Sequence, residues 1–101
     1  MIIAVDFDDT LQVDGKPNLK LMADLVNAQR NGHAVILWSC RTGQRLADAV
    51  RYCAEHGLRF NCVNDNHISV IKRLGYNSRK IYADIYIDDK AMNYGKKLSD
   101  N

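Results

Sequence analysis

Met1-Ile-Ile-Ala-Val-Asp-Phe-Asp-Asp-Thr-Leu11 is the stretch on which the reading of the chain turns. Ile2 to Val5 form an unbroken, largely β-branched apolar run, the pattern of a strand buried on both faces. The run stops at Asp6, and Asp8 and Asp9 follow at once. Strand side chains alternate faces, so Asp6 and Asp8 point one way and Phe7 the other. Two carboxylates about 4 Å apart repel by about 4 kcal/mol at an effective dielectric near 20. A divalent cation, a shared proton or a basic side chain would offset that repulsion. The plainer alternative is that Asp8 and Asp9 cap and solvate a turn.

Beyond this stretch the chain alternates strand and helix patterns. Gln12 to Pro17 reads as a tight turn or small hairpin punctuated by Gly15 and Pro17. Asn18 is placed to cap a helix carrying Leu21, Met22, Leu25 and Val26, with Gly32 just past its end. Ala34 to Trp38 is a second buried strand. Thr42 is placed to cap a second helix, with Leu46, Val50, Cys53 and Ala54 on one face and Gly57 closing it. Leu58 to Val63 reads as a third strand, followed by the polar loop Asn64-Asp-Asn-His67. Ile68, Ile71 and Leu74 mark a short helix ending at Gly75. Ile81, Ala83, Ile85 and Ile87 surround a last strand ending at Asp88, and a weak terminal helix spans Lys90 to Leu98. Such alternation predicts a three-layer, Rossmann-like α/β domain over residues 1–101, with a mostly parallel central sheet and helices on both faces.

Composition narrows the function classes. The 101 residues suit one domain, and 47% hydrophobic with 26% charged residues is ordinary for a globular protein. A net charge of +2 gives no argument for nucleic acid or a membrane surface. No apolar run is long enough to span a bilayer, and no signal-peptide pattern is present. Cys40, Cys53 and Cys62 lack C-x-x-C spacing and read as reduced thiols of a cytoplasmic protein. His33, His56 and His67 share no ligand spacing.

In parallel sheets, sites lie outside the carboxyl ends of the strands. Here those ends are Asp6-Phe-Asp8, Ser39-Cys-Arg41 and Asp88-Asp89-Lys90. If the first and last strands are neighbours, Asp6, Asp8, Asp88 and Asp89 converge. Such a group suits Mg²⁺, which takes one or two carboxylates, keeps waters and accepts phosphate oxygens. The competing role for Asp88-Asp89 is a helix N-cap, although one Asp suffices for that.

Asp6-Phe-Asp-Asp-Thr10 resembles the D-x-D-x-T signature of the haloacid dehalogenase-like phosphohydrolases. Ser39 after the second strand and Asp88-Asp89 after the last match the family's other motifs in order. The resemblance covers nearly the whole chain and is nearest the small members with no inserted cap domain. It implies a Mg²⁺-dependent phosphatase acting on a phosphate monoester. Asp6 would attack phosphorus to give an aspartyl-phosphate that water hydrolyses. Asp8 would protonate the leaving oxygen and then activate water, which requires a pKa raised by neighbouring acids. Thr10 and Ser39 would donate to phosphoryl oxygens. Mg²⁺ would be held by Asp6, by Asp8 through its backbone carbonyl, and by Asp88 or Asp89. Lys80 is preferred over Lys72 as the lysine that balances phosphoryl charge, and Arg41 is within sequence reach of phosphate.

Two other classes share these features. Receiver domains of response regulators also bind Mg²⁺ on a small doubly wound sheet and accept a phosphoryl group; only Asp65 has the position for that role. An inactive Mg²⁺-binding interaction module is the other, because fold does not fix activity. With no cap, the site is expected to be open, with only the Gln12–Asn18 turn able to cover it. An open site suits a macromolecular phosphate, either a phosphoprotein or a nucleic-acid end, and the Lys72-Arg73 and Arg79-Lys80 pairs would tolerate a polyanion.

Overall fold

The computed structural model describes residues 1–89; the terminal helix expected over Lys90 to Leu98 lies outside them. The elements run β1 (Ile2–Val5), β2 (Gln12–Val13), β3 (Lys16–Pro17), α1 (Leu19–Arg30), β4 (Ala34–Leu37), α2 (Gly43–Glu55), β5 (Cys62–Val63), α3 (Ile68–Leu74) and β6 (Ile85–Ile87). The main sheet has order β5-β4-β1-β6 and is parallel throughout. β1 is therefore flanked on both sides, as its apolar run requires, and β6 lies directly beside it. The fold is the expected Rossmann-like α/β arrangement, with no inserted cap among the described residues. No helix of these residues is long and apolar enough to cross a membrane.

Register divides the sheet into two faces. Ile3, Val5, Val35, Leu37 and Ile85 share one face and join Met22 and Leu25 of α1 and Ala49 and Cys53 of α2 in a single apolar core. Ala4, Ile36 and Tyr86 align on the other. There, Val70 of α3 lines a cavity together with Ile2 and Ala34. Phe7 and Leu11, just past β1, are also fully buried and anchor the acidic turn to the core.

Local signals set the boundaries. Asn18 caps α1 by accepting from the Leu21 amide at 3.2 Å, and its Nδ2 donates to the Thr10 carbonyl at 3.0 Å. Asp14 and Gly15, both at positive φ, close the β2–β3 hairpin as two-residue Asp-Gly turns do. Gly75 ends α3 in the left-handed conformation. Thr42 stands at the N-cap of α2, but its hydroxyl makes no capping hydrogen bond.

Three expectations need correction. The third strand is Cys62–Val63 rather than Leu58 to Val63. Leu58 is fully buried from a loop, its amide donating to the Cys53 carbonyl at the end of α2. The last strand begins at Ile85, because the backbone before it is captured elsewhere. The Tyr82 amide donates to Asn66 Oδ1 at 2.7 Å, and the Tyr86 hydroxyl takes the Ile81 carbonyl and the Ala83 amide. In α3 the buried residue is Val70, while Ile68 and Leu74 are exposed. A helix of two turns takes its inner face from what lies beneath it, not from its own spacing.

Asn66 is one of two buried polar residues among those described. Besides holding Tyr82, its Nδ2 donates to Asn77 Oδ1 and to the carbonyls of Ser78 and Lys80, at 3.1–3.2 Å. Removing it strands an amide and carbonyls, each costing about 1–3 kcal/mol when left unpaired. Asn66→Ala is expected to lower unfolding stability by about 2 kcal/mol or more. Urea titration followed by circular dichroism checks this, and Asn77→Ala, which removes one partner at an exposed site, should cost far less.

Candidate functional site

β1 and β6 end level with each other. The Asp6 amide donates to the Ile87 carbonyl at 2.9 Å and the Trp38 amide to the Val5 carbonyl at 2.8 Å, extending the parallel ladders past the strands. Asp6, Asp88 and Asp89 are thereby brought together, each offering an oxygen within 4.8 Å of the others. Next to them the chain turns sharply, with the Thr10, Leu11 and Gln12 amides all donating to the Phe7 carbonyl. Asp9 takes φ 60° within this turn. Thr10 is buried, and its hydroxyl oxygen accepts from the Asp89 amide at 3.2 Å.

The electrostatics differ between Asp6 and Asp8. Burial raises the Asp6 pKa above its ordinary 3.8; the Phe7 amide, 2.8 Å from Oδ1, opposes this, and the charges of Asp88, Asp8 and Asp89 add to it. Asp8 behaves in the opposite way to the expectation drawn from crowding. Arg41 grips its carboxylate with both arms of the guanidinium, Nε to Oδ2 at 3.0 Å and a terminal nitrogen to Oδ1 at 2.7 Å. That pairing lowers the Asp8 pKa. The Asp8 carboxylate is thus turned to Arg41 and is not among the three oxygens that converge.

Arg41 is more than a surface cation. Its guanidinium lies over the Phe7 ring, 4.7 Å from the centroid, and its amide donates to the Ser39 hydroxyl at 3.1 Å. Ser39 in turn is clamped by Asn64, whose Oδ1 accepts from the Ser39 amide and whose Nδ2 donates to the Ser39 carbonyl. Lys80 is exposed and lines a cavity with Trp38 and Tyr86. Lys72 lies on α3, whose His67, Ser69, Val70 and Arg73 face a cavity shared with Met1 and Ile2, at the amino ends of the strands. Asp65 lies outside the acid cluster and accepts from the Asn66 amide and from Asn77 Nδ2 beyond α3.

A solved structure of a conserved protein from Bacteroides thetaiotaomicron aligns with this chain at 33% identity and a TM-score of 0.79, covering 98% of this chain and 84% of that one. The chain belongs to the family of that protein. No protein-family model and no curated protein matches it.

The three carboxylates form a group that could hold a metal ion. Neighbouring oxygens on an octahedral Mg²⁺ stand about 2.9 Å apart, so carboxylates within 4.8 Å of one another would have to draw in to share one ion. Sequence reasoning missed Asn64 and Asn66, reading their segment as a polar loop. The usable signal was Asn64 itself: it follows a strand directly and takes φ 50°, a conformation Asn tolerates better than most residues.

Because Asp6 binds its proton more tightly folded than unfolded, its stabilising contribution is full below about pH 4 and is lost as pH rises through its folded pKa. Asp8 works in the other direction, contributing above its unfolded pKa and losing that as pH falls through the folded value. In metal-free buffer at neutral pH, Asp6→Asn is therefore expected to raise the melting temperature. Arg41→Ala should lower stability by about 1 kcal/mol or less after solvent screening. Thermal melts across pH 3–8 check both signs.

Proposed function

We propose that the chain is a Mg²⁺-dependent phosphatase of the haloacid dehalogenase-like kind, acting on a phosphate monoester through an aspartyl-phosphate. The observation that carries this reading is the convergence of Asp6, Asp88 and Asp89 at the carboxyl ends of adjacent parallel strands. Asp6, Asp88 and Asp89 would hold the cation, together with the Asp8 carbonyl; bound there, Mg²⁺ supplies charge that neutralises and polarises the phosphoryl group.

In this reading the free Asp6 oxygen attacks phosphorus while the Phe7 amide holds the other oxygen. The bond to the leaving oxygen breaks, and that oxygen takes a proton from Asp8. Water then attacks the aspartyl-phosphate, giving its proton back to Asp8 and releasing phosphate. Asp8 begins paired with Arg41, which keeps it ionised. The incoming phosphoryl group competes for the same guanidinium fork, whose geometry suits phosphate as well as carboxylate. Arg41 moving to phosphate lets the Asp8 pKa rise, so the acid becomes competent when substrate is present. Thr10 and Ser39 would donate to phosphoryl oxygens. Lys80 is favoured over Lys72 because it shares a cavity with Trp38, the residue before Ser39, and Tyr86, two residues before Asp88, whereas α3 borders a cavity at the amino ends of the strands.

Asp6→Asn is expected to abolish turnover with the fold intact, and chelation of Mg²⁺ should do the same to the unsubstituted protein. Asp8→Asn should slow alkyl phosphates by roughly 10²–10⁴-fold and aryl phosphates less, since the latter need little protonation. Lys80→Ala should cost more than Lys72→Ala. Steady-state kinetics with circular dichroism as a fold control checks all of these. Full activity in Asp6→Asn would overturn the mechanism, and loss in Lys72→Ala alone would reassign the lysine. Mg²⁺ at concentrations well above its dissociation constant should also raise the melting temperature by mass action; no shift would count against the site.

A further inference from the structure

The sheet face away from the main core carries an aromatic, basic cavity. Its lining is Trp38, Arg79, Lys80, Ile81 and Tyr86, and its volume is about 390 Å³. Trp38 and Tyr86 meet edge to face, with ring centroids 5.4 Å apart, yet Trp38 remains 39% exposed. Trp38 directly precedes Ser39. Tyr86 stands two residues before Asp88, about 7 Å along the strand direction.

The walls are held in place. The Tyr86 hydroxyl donates to the Ile81 carbonyl at 2.6 Å and accepts from the Ala83 amide at 3.0 Å. The Lys80 carbonyl accepts from Asn66 and from the Ser78 hydroxyl. The volume lies within the range of small-molecule clefts, which are mostly apolar with a few placed polar groups. A wide aromatic face flanked by two cations, one strand step from a phosphate-handling site, matches a ligand with a planar ring and a negative charge.

We infer that the Trp38–Tyr86 cavity seats the base of a nucleotide whose phosphate monoester lies at the acid cluster, so that the substrate class is nucleotide phosphate rather than sugar or acyl phosphate. The inference rests on the phosphatase reading. The base stacks on the exposed Trp38 face, Arg79 adds positive potential along the path to the acids, and the sugar spans the step to Asp88. Stacking of this kind tolerates any base, so the cavity selects for a ring rather than for one sequence.

Trp38 is the chain's single tryptophan, so intrinsic fluorescence reports on the cavity directly. Adenosine, which carries no phosphate, is expected to quench it at millimolar concentration, while ribose 5-phosphate leaves it unchanged. With Mg²⁺, kcat/KM for adenosine 5′-monophosphate should exceed that for ribose 5-phosphate by about tenfold or more. That ratio, read within each variant, should collapse toward one in Trp38→Ala and return in Trp38→Phe. A 5′-phosphorylated oligonucleotide assayed alongside identifies the source: preference for it assigns a strand end, preference for the mononucleotide a free nucleotide, and either supports base recognition. Equal kcat/KM for the ring-bearing and ring-free esters overturns the inference while leaving the phosphatase standing. If no phosphate ester is hydrolysed, nor the anhydride acetyl phosphate, the phosphatase reading fails, and with it the substrate assignment, whatever adenosine does to the fluorescence. Absence of quenching by adenosine overturns the cavity's role in every case.

Discussion

Mutual repulsion among carboxylates that the sheet holds together is the constraint around which this molecule is arranged. Charges 4.8 Å apart at an effective dielectric near 20 repel by about 3 kcal/mol per pair. The acids have little freedom to separate. Asp6 continues a strand locked on both sides, and its neighbours Val5 and Phe7 are fully buried in a close-packed core. Asp88 and Asp89 follow a strand in fixed register with it. A proton on Asp6 is one response to that crowding, and a bound cation would be another. The raised Asp6 pKa is the proton's side of that balance.

Loops at both ends of the sheet are fixed by neutral amides. Asn18, Asn61, Asn64 and Asn66 each bond to backbone in a different segment. Three of the four use both the oxygen and the nitrogen of the side chain on backbone, a task that needs a donor and an acceptor on one short arm. An Asp at these positions would lack the donor and would add negative charge near a region already crowded with it. Asn64 keeps Ser39 at the end of β4, and Asn66 keeps the Lys80 segment over the far face of the sheet. The positions of both candidate phosphate-contacting segments therefore depend on residues that have no part in the chemistry.

Much of this was readable beforehand, for identifiable reasons. β1 and β4 are continuous apolar runs, and burial on both faces of a parallel sheet is what such runs require. Asn18, Gly15 and Gly75 act through local backbone conformation, which neighbouring residues determine. Other features were hidden because they depend on contacts distant in sequence. Leu58 reads as strand yet enters the core from a loop. Ile81 and Ala83 read as strand, but a tyrosine hydroxyl and Asn66 bind the backbone before the ladder can. The pairing of Asp8 with Arg41 joins residues 33 apart and exists because β1 and β4 are adjacent. Reading the acids together from the sequence led to a raised Asp8 pKa; the fold divides them, leaving crowding to Asp6 and a counter-ion to Asp8.

That division has a chemical logic. A nucleophile must be ionised when substrate is bound, and a general acid must be protonated at the same moment. Two neighbouring aspartates of equal intrinsic pKa cannot satisfy both demands unless their surroundings differ. In the free chain burial and like charge favour a proton on Asp6, and Arg41 favours an ionised Asp8, the reverse of what the proposed roles would need. In the proposed phosphatase, a cation beside Asp6 and a phosphoryl group beside Arg41 would reverse both biases together. On that proposal one guanidinium, stacked on the ring of Phe7 and paired with Asp8, would couple arrival of the phosphate to the protonation state that its hydrolysis requires.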